Sequence, residues 1–215
     1  MAGPVTTIPV TPRKRRRNLA QGTYSTAGEK LVHTYYDTQL IQSASVAPMH
    51  FFQAAQGQPL NGVGAALKTL QHTNMTMGGQ IPRGQRFTIY CIKLMYTAIT
   101  LLADASILGW YNMLANCTFE FLISGKDSLL TLTLQELLGA STLILPAPAV
   151  GSGYSTVNRI ILPRFHGNFP LSTAIVLSEQ TNFECRVIPQ VVTPTTVLTG
   201  DFLKIGLSGV LERLS

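Results

Sequence analysis

A chain of 215 residues is long enough to bury a core of its own and suits one domain, or one domain with a long arm. Charged residues make up only 12% and hydrophobic residues 46%, so a free monomer has little charge to keep it soluble and the surface is expected to be covered by neighbours. The net charge of +6 is concentrated at one end: residues 1–28 hold five cations and no Asp or Glu, while residues 29–215 hold eleven Lys/Arg against ten Asp/Glu. This argues against a fold that binds polyanions over its own body, and leaves that role to the tail.

The first 28 residues read as a disordered basic arm. Pro4, Pro9 and Pro12 interrupt regular structure, and too little apolar surface is present to offset the entropy of ordering. Arg13, Lys14, Arg15, Arg16 and Arg17 follow without a break. Five adjacent cations repel one another, and on nucleic acid each neutralised phosphate releases condensed counterions. These five residues are the candidate polyanion-binding site, with nucleic acid or an anionic membrane surface as partner. The bland alternative is a solvated or targeting run. No hydrophobic stretch follows the charges, so no signal peptide is expected.

Residues 29–75 are dominated by small residues, Gln and Gly, with Tyr35, Tyr36, Phe51 and Phe52 among them. They are expected to form an extended arm or linker that packs on the body or on a neighbour, with a short helix around 64–71. Gly62-Val63-Gly64 lacks the third glycine and the βαβ setting of a dinucleotide loop.

The body is expected over residues 76–215. Gly78-Gly79 and Ile81-Pro82-Arg83-Gly84 are turn signals. Arg86 to Thr100 suits a long strand. Its alternation is impure, with Phe87, Ile89 and Cys91 on one face and Tyr90, Ile92 and Leu94 on the other, so both faces are expected to be covered. The window Cys91–Ala115 is the best candidate for a membrane span, but Lys93, Asp104 and Asn112 count against it.

Cys117, Phe119, Phe121 and Ile123 alternate with Thr118, Glu120, Leu122 and Ser124, Leu130, Leu132 and Leu134 alternate with Thr131 and Thr133, and Gly125-Lys126-Asp127 lies between. That is a hairpin. Residues 135–138 suit one helical turn, the only helical segment expected in the body, and 146–158 a Pro/Gly loop. Leu171–Leu177 and Asn182–Pro189 read as strands around a turn at 178–181. Phe202–Leu211 closes the set, with Leu203, Ile205, Leu207 and Leu211 on one face. Many short strands between Gly/Pro turns predict an all-β sandwich.

No catalytic or metal site emerges. Cys91, Cys117 and Cys185 lie in apolar runs without CxxC spacing and read as buried free thiols. His33, His50, His72 and His166 lack ligand spacing. Glu120 and Glu184 lie on polar strand faces and are able to approach, though salt bridges to Arg186 or Lys126 are the commoner outcome. Asn74-Met75-Thr76 and Asn116-Cys117-Thr118 match the glycosylation sequon, which matters only in a secreted protein. No cofactor and no small-molecule substrate are expected.

Three pieces carry a family resemblance: Gln80 to Ile89 as the turn that launches the first long strand; Leu171–Leu177, the turn at 178–182 and Phe183–Val187; and the closing strand at 202–211 with Gly206 and Gly209. Over roughly 78–212 the chain resembles the jelly-roll capsid proteins of tailless icosahedral bacterial viruses, especially those with an internal membrane. About 135 residues hold one eight-stranded roll rather than two. The resemblance implies an eight-stranded antiparallel jelly-roll sandwich with an extended N-terminal arm. It also implies a structural, non-enzymatic capsid subunit of a virion, assembled in the host cytoplasm. Its partners would be other copies of itself, other capsid proteins and, through the arm, viral nucleic acid or an anionic inner membrane. The alternatives are a free nucleic-acid-binding β protein and an enzyme on a β-sandwich scaffold.

Overall fold

A computed structural model describes residues 28–42, 46–60, 66–97, 104–125, 128–138, 166–190 and 200–213. They contain eight strands: β1 (Lys30–Leu40), β2 (Met49–Phe51), β3 (Gln85–Thr97), β4 (Cys117–Ile123), β5 (Ser128–Thr133), β6 (His166–Leu177), β7 (Phe183–Pro189) and β8 (Phe202–Arg213). Helix α1 (Asp104–Asn116) lies between β3 and β4, and the single turn α2 (Leu134–Leu137) between β5 and β6.

The strands form two four-stranded sheets, ordered β1-β8-β3-β6 and β2-β7-β4-β5, and every pairing is antiparallel. The pairings are nested: β4 with β5, β3 with β6, β2 with β7, and β1 with β8. The inner faces of both sheets supply one core, with Phe87, Ile92, Leu94 and Leu207 from the first sheet and Phe119, Phe121, Cys185 and Val187 from the second. Burying each large side chain contributes about 1.5–3 kcal/mol. The all-β sandwich expected from the strand pattern is what the chain forms.

Residues 29–75 differ from the expected arm. They supply β1, which pairs with β8 along its whole length from Lys30 to Leu40, and β2, which pairs with β7. The sandwich therefore takes in this segment and does not start near residue 76. The segment escapes a sequence reading because the inward row of β1 is His33, Tyr35, Asp37 and Gln39, which carries no apolar alternation. The helix expected around 64–71 is also not found over 66–71, where Leu67 bridges Pro59 and a turn follows.

The impure alternation of β3 has a different cause from two covered faces. Ile89 pairs with Gly209 and Cys91 with Ser208, so Tyr90 is an extra, bulged residue. A one-residue bulge moves every later side chain to the opposite face. Phe87 and Ile89 point inward before it, and Ile92, Leu94 and Tyr96 after it, while Tyr90 is half exposed.

The sequence also hides α1. It carries Trp110, Met113 and Leu114 into the core, and Trp110 stacks on Tyr96 with ring centroids 4.6 Å apart. Helix α2 matches the expected turn at 135–138. A capping box starts it: Glu136 N–H donates to Thr133 Oγ1, and Thr133 N–H donates to Glu136 Oε2 at 2.7 Å. Among the described residues no helix is long and apolar enough to cross a membrane. The loop expected at 146–158 lies outside the described residues.

Candidate functional site

Strand β1 is an edge of the first sheet, yet its free side is not open. Tyr36 N–H donates to Asn74 Oδ1 at 2.9 Å, Asn74 Nδ2 donates to the Thr34 carbonyl at 2.8 Å, and Thr73 Oγ1 donates to the Tyr36 carbonyl at 3.0 Å. Two side chains thus stand where a further strand would bind, which blunts the edge against unwanted pairing. The sequon at Asn74 is thereby engaged in holding β1. The same segment crosses the end of the sheet: Lys204 Nζ donates to the Gln71 carbonyl at 2.8 Å and stands 4.7 Å from the Tyr36 ring centroid.

Beneath this cover lies an ion pair with no exposure. Lys68 Nζ donates to Asp37 Oδ1 at 2.7 Å and to Oδ2 at 2.8 Å, and both side chains are 0% exposed. The Phe52 N–H donates to Asp37 Oδ2 at 2.6 Å. Burial pushes the Asp37 carboxyl above the ordinary carboxylate range, and the pull of Lys68 and the backbone donors opposes this only in part. Phe52 sits at φ 70°, a conformation that a bulky residue rarely adopts. Its carbonyl accepts from Gly79 N at 2.5 Å, and a Cβ on Gly78 would stand 2.2 Å from the Gln53 carbonyl oxygen. The Gly78-Gly79 pair therefore permits the close approach that aims the Phe52 N–H at Asp37.

Opposite this closed side, the sandwich has an apolar groove between the other two edge strands, β5 and β6. It encloses about 500 Å³ and is lined chiefly by Ile123, Leu129, Leu130, Phe169, Leu171 and Ile175. Strand β6 carries Pro170 at its rim, which donates no backbone hydrogen bond. Its residues Leu171–Ala174 bulge out opposite Tyr90, between the pairs Ile89–Ile175 and Cys91–Pro170.

The two outer faces differ in chemistry. On the first sheet, the register places Val32, Val210, Thr88 and Val176 in one row across all four strands, and Thr34, Ser208, Cys91 and Pro170 in the next. Neither row holds a charge, and Val32 is 91% exposed. On the second sheet, His50, Arg186, Glu120 and Thr131 form a row, with Glu184 beside it. Glu184 is paired with Arg186, accepts from Gln53 Nε2 at 2.5 Å, and lies 3.5 Å from His50 Nδ1. Arg186 stands in register opposite Glu120. The two carboxylates singled out in the sequence thus share a sheet face, and the cation between them makes the arrangement a charge-compensated surface network.

The remaining expected site residues fall as follows. Arg13, Lys14, Arg15, Arg16 and Arg17 lie outside the described residues. The three cysteines are free thiols. Burial pushes Cys117 up to about 12 and raises Cys185 and Cys91 as well, so the protonated thiol is favoured at neutral pH. His33 packs edge-on against Tyr35, and burial lowers its basicity. Among the described residues no three His, Cys, Asp or Glu side chains gather to hold a metal ion.

The Asp37–Lys68 pair was missed in the sequence, although a signal exists. Asp37 is the one carboxylate between Glu29 and Asp104, and Lys68 the one cation between Lys30 and Arg83. No protein-family model matches the sequence, and no curated protein matches it.

Proposed function

We propose that the chain is the structural subunit of an icosahedral viral capsid. In this reading it is built on a single jelly roll, and the basic leader Arg13–Arg17 contacts the packaged genome or an inner membrane surface. The observation that carries the reading is the nested pairing of eight strands in the orders β1-β8-β3-β6 and β2-β7-β4-β5. Nested pairing of this kind supports the jelly-roll plan, which recurs in viral shells and in lectin and cupin domains. Two further features favour a shell among these. The leader carries five cations on a nearly neutral body, and the first sheet presents two uncharged rows across its outer face.

A subunit of this kind hides apolar surface against copies of itself, and closed symmetry sets how many copies meet. Its partners are then other copies, other shell proteins and a polyanion, with no substrate to turn over. Negative-stain electron microscopy of the purified full chain tests the reading. Uniform closed particles support it, and dispersed monomers under all assembly buffers count against it.

A further inference from the structure

The Asp37–Lys68 pair has the makings of more than an ion pair. An amine nitrogen stands 2.7 and 2.8 Å from the two oxygens of a carboxyl group, both side chains are fully buried, and the carboxyl is already held on its other side by the Phe52 N–H. We propose that Lys68 and Asp37 condense to an intramolecular amide that covalently joins β1 to the 66–75 segment.

The buried pair holds the two reacting groups in contact. The reaction starts from the neutral pair, amine and carboxylic acid, which is reached by moving one proton from Nζ to the carboxyl along the existing hydrogen bond. The neutral Nζ then attacks Cγ. The oxygen held by the Phe52 N–H takes up the developing negative charge, as an oxyanion donor requires. The C–Oδ1 bond breaks, and Oδ1 leaves with the acid proton and one amine proton as water. The balance is carboxylic acid plus amine giving amide plus water, with no oxidant, reductant or activating group.

Two held partners react with effective molarities of roughly 10⁵–10⁸ M, which offsets the usual preference for hydrolysis in water. The left-handed Phe52 and the close Gly78–Gln53 contact fix the N–H donor before the reaction begins. The product ties the strand that follows the basic leader to the body, so a pull on the leader is carried by a covalent bond.

Intact-mass spectrometry of the purified full chain, unfolded in guanidinium after days near neutral pH, tests this. The expected species is lighter than the sequence mass by one water. Trypsin should then fail to cut after Lys68, giving one peptide over 31–83 that lacks one water, in place of 31–68 and 69–83. Lys68→Arg keeps a cation beside Asp37 but cannot form the bond, and should show the full mass. A wild-type chain at full mass with free 31–68 and 69–83 peptides overturns the proposal. So does a mass deficit that persists in Lys68→Arg.

Discussion

Gly209 lies directly against Thr88: a Cβ at position 209 would stand 1.9 Å from the Thr88 carbonyl oxygen and 3.0 Å from Ile89 Cα. This is the point where β8 presses on the β3 bulge, whose extra residue Tyr90 reverses the inward face of the strand. An alanine there must push back a backbone carbonyl in the middle of a sheet. Gly209→Ala is therefore expected to cost about 3 kcal/mol, the upper end for overpacking. Ser208→Ala, one residue away, loses the 2.7 Å hydroxyl contact with Thr34, worth about 1 kcal/mol. Urea denaturation of the two variants should separate them in this order.

Removing one member of the buried pair should cost more than removing both. Measured against chains in which the amide has not formed, Lys68→Met leaves the buried Asp37 carboxyl without its cation, and should destabilise by roughly 3–5 kcal/mol. Asp37→Leu combined with Lys68→Met should recover much of that loss. A double-mutant cycle measured by chemical denaturation checks this, and purely additive effects would show that the two side chains are not coupled.

Acid should weaken the fold through its partly buried imidazoles. Burial lowers the basicity of His33 and His72 below the ordinary value of 6.5. The unfolded chain then binds more protons than the folded one, so stability rises with pH across the window between the lowered folded values and 6.5. Below that window the contribution is lost. In chains whose amide to Lys68 has not formed, Asp37 acts in the opposite sense at lower pH: its raised folded value makes the folded chain bind the extra proton, so its contribution weakens as pH climbs above the ordinary carboxylate range. The tilt in denaturation midpoint between about pH 5 and 7 should flatten in His33→Phe, which keeps the ring contacts with Tyr35 and Phe87.

The leader should account for polyanion binding. Five cations on single-stranded nucleic acid correspond to a slope of log affinity against log salt of about −3.5. Deleting residues 1–20 should remove that slope and most of the affinity in fluorescence anisotropy with a labelled oligonucleotide. Affinity retained by the truncated chain would move the binding surface to the body and favour a free nucleic-acid-binding protein.

How far the fold is legible in the sequence depends on whether a strand's inner row is apolar. Phe183, Cys185 and Val187 in β7, and Leu203, Ile205, Leu207 and Leu211 in β8, announce their faces by simple alternation and are all buried. Strand β1 does not, because Asp37 and Gln39 point inward and are matched by Lys68 and by the His50 carbonyl, partners distant in sequence or in another strand. The parity change in β3 depends on Gly209, more than a hundred residues downstream. Helix α1 falls almost wholly in the window that reads as the best candidate for a membrane span, and the row of Trp110, Met113 and Leu114 is obscured by further apolar residues such as Ile107, Leu108 and Tyr111. The candidate site was legible only as isolated charges, since the pairing of Asp37 with Lys68 is a product of the fold.

Sedimentation velocity of the purified full chain over a wide concentration range is the most direct measurement of whether it builds a shell. A self-assembling subunit gives one narrow, very large species above a threshold concentration, with free protein constant beyond it. A single small species that persists at every concentration and ionic strength would contradict the proposed capsid role.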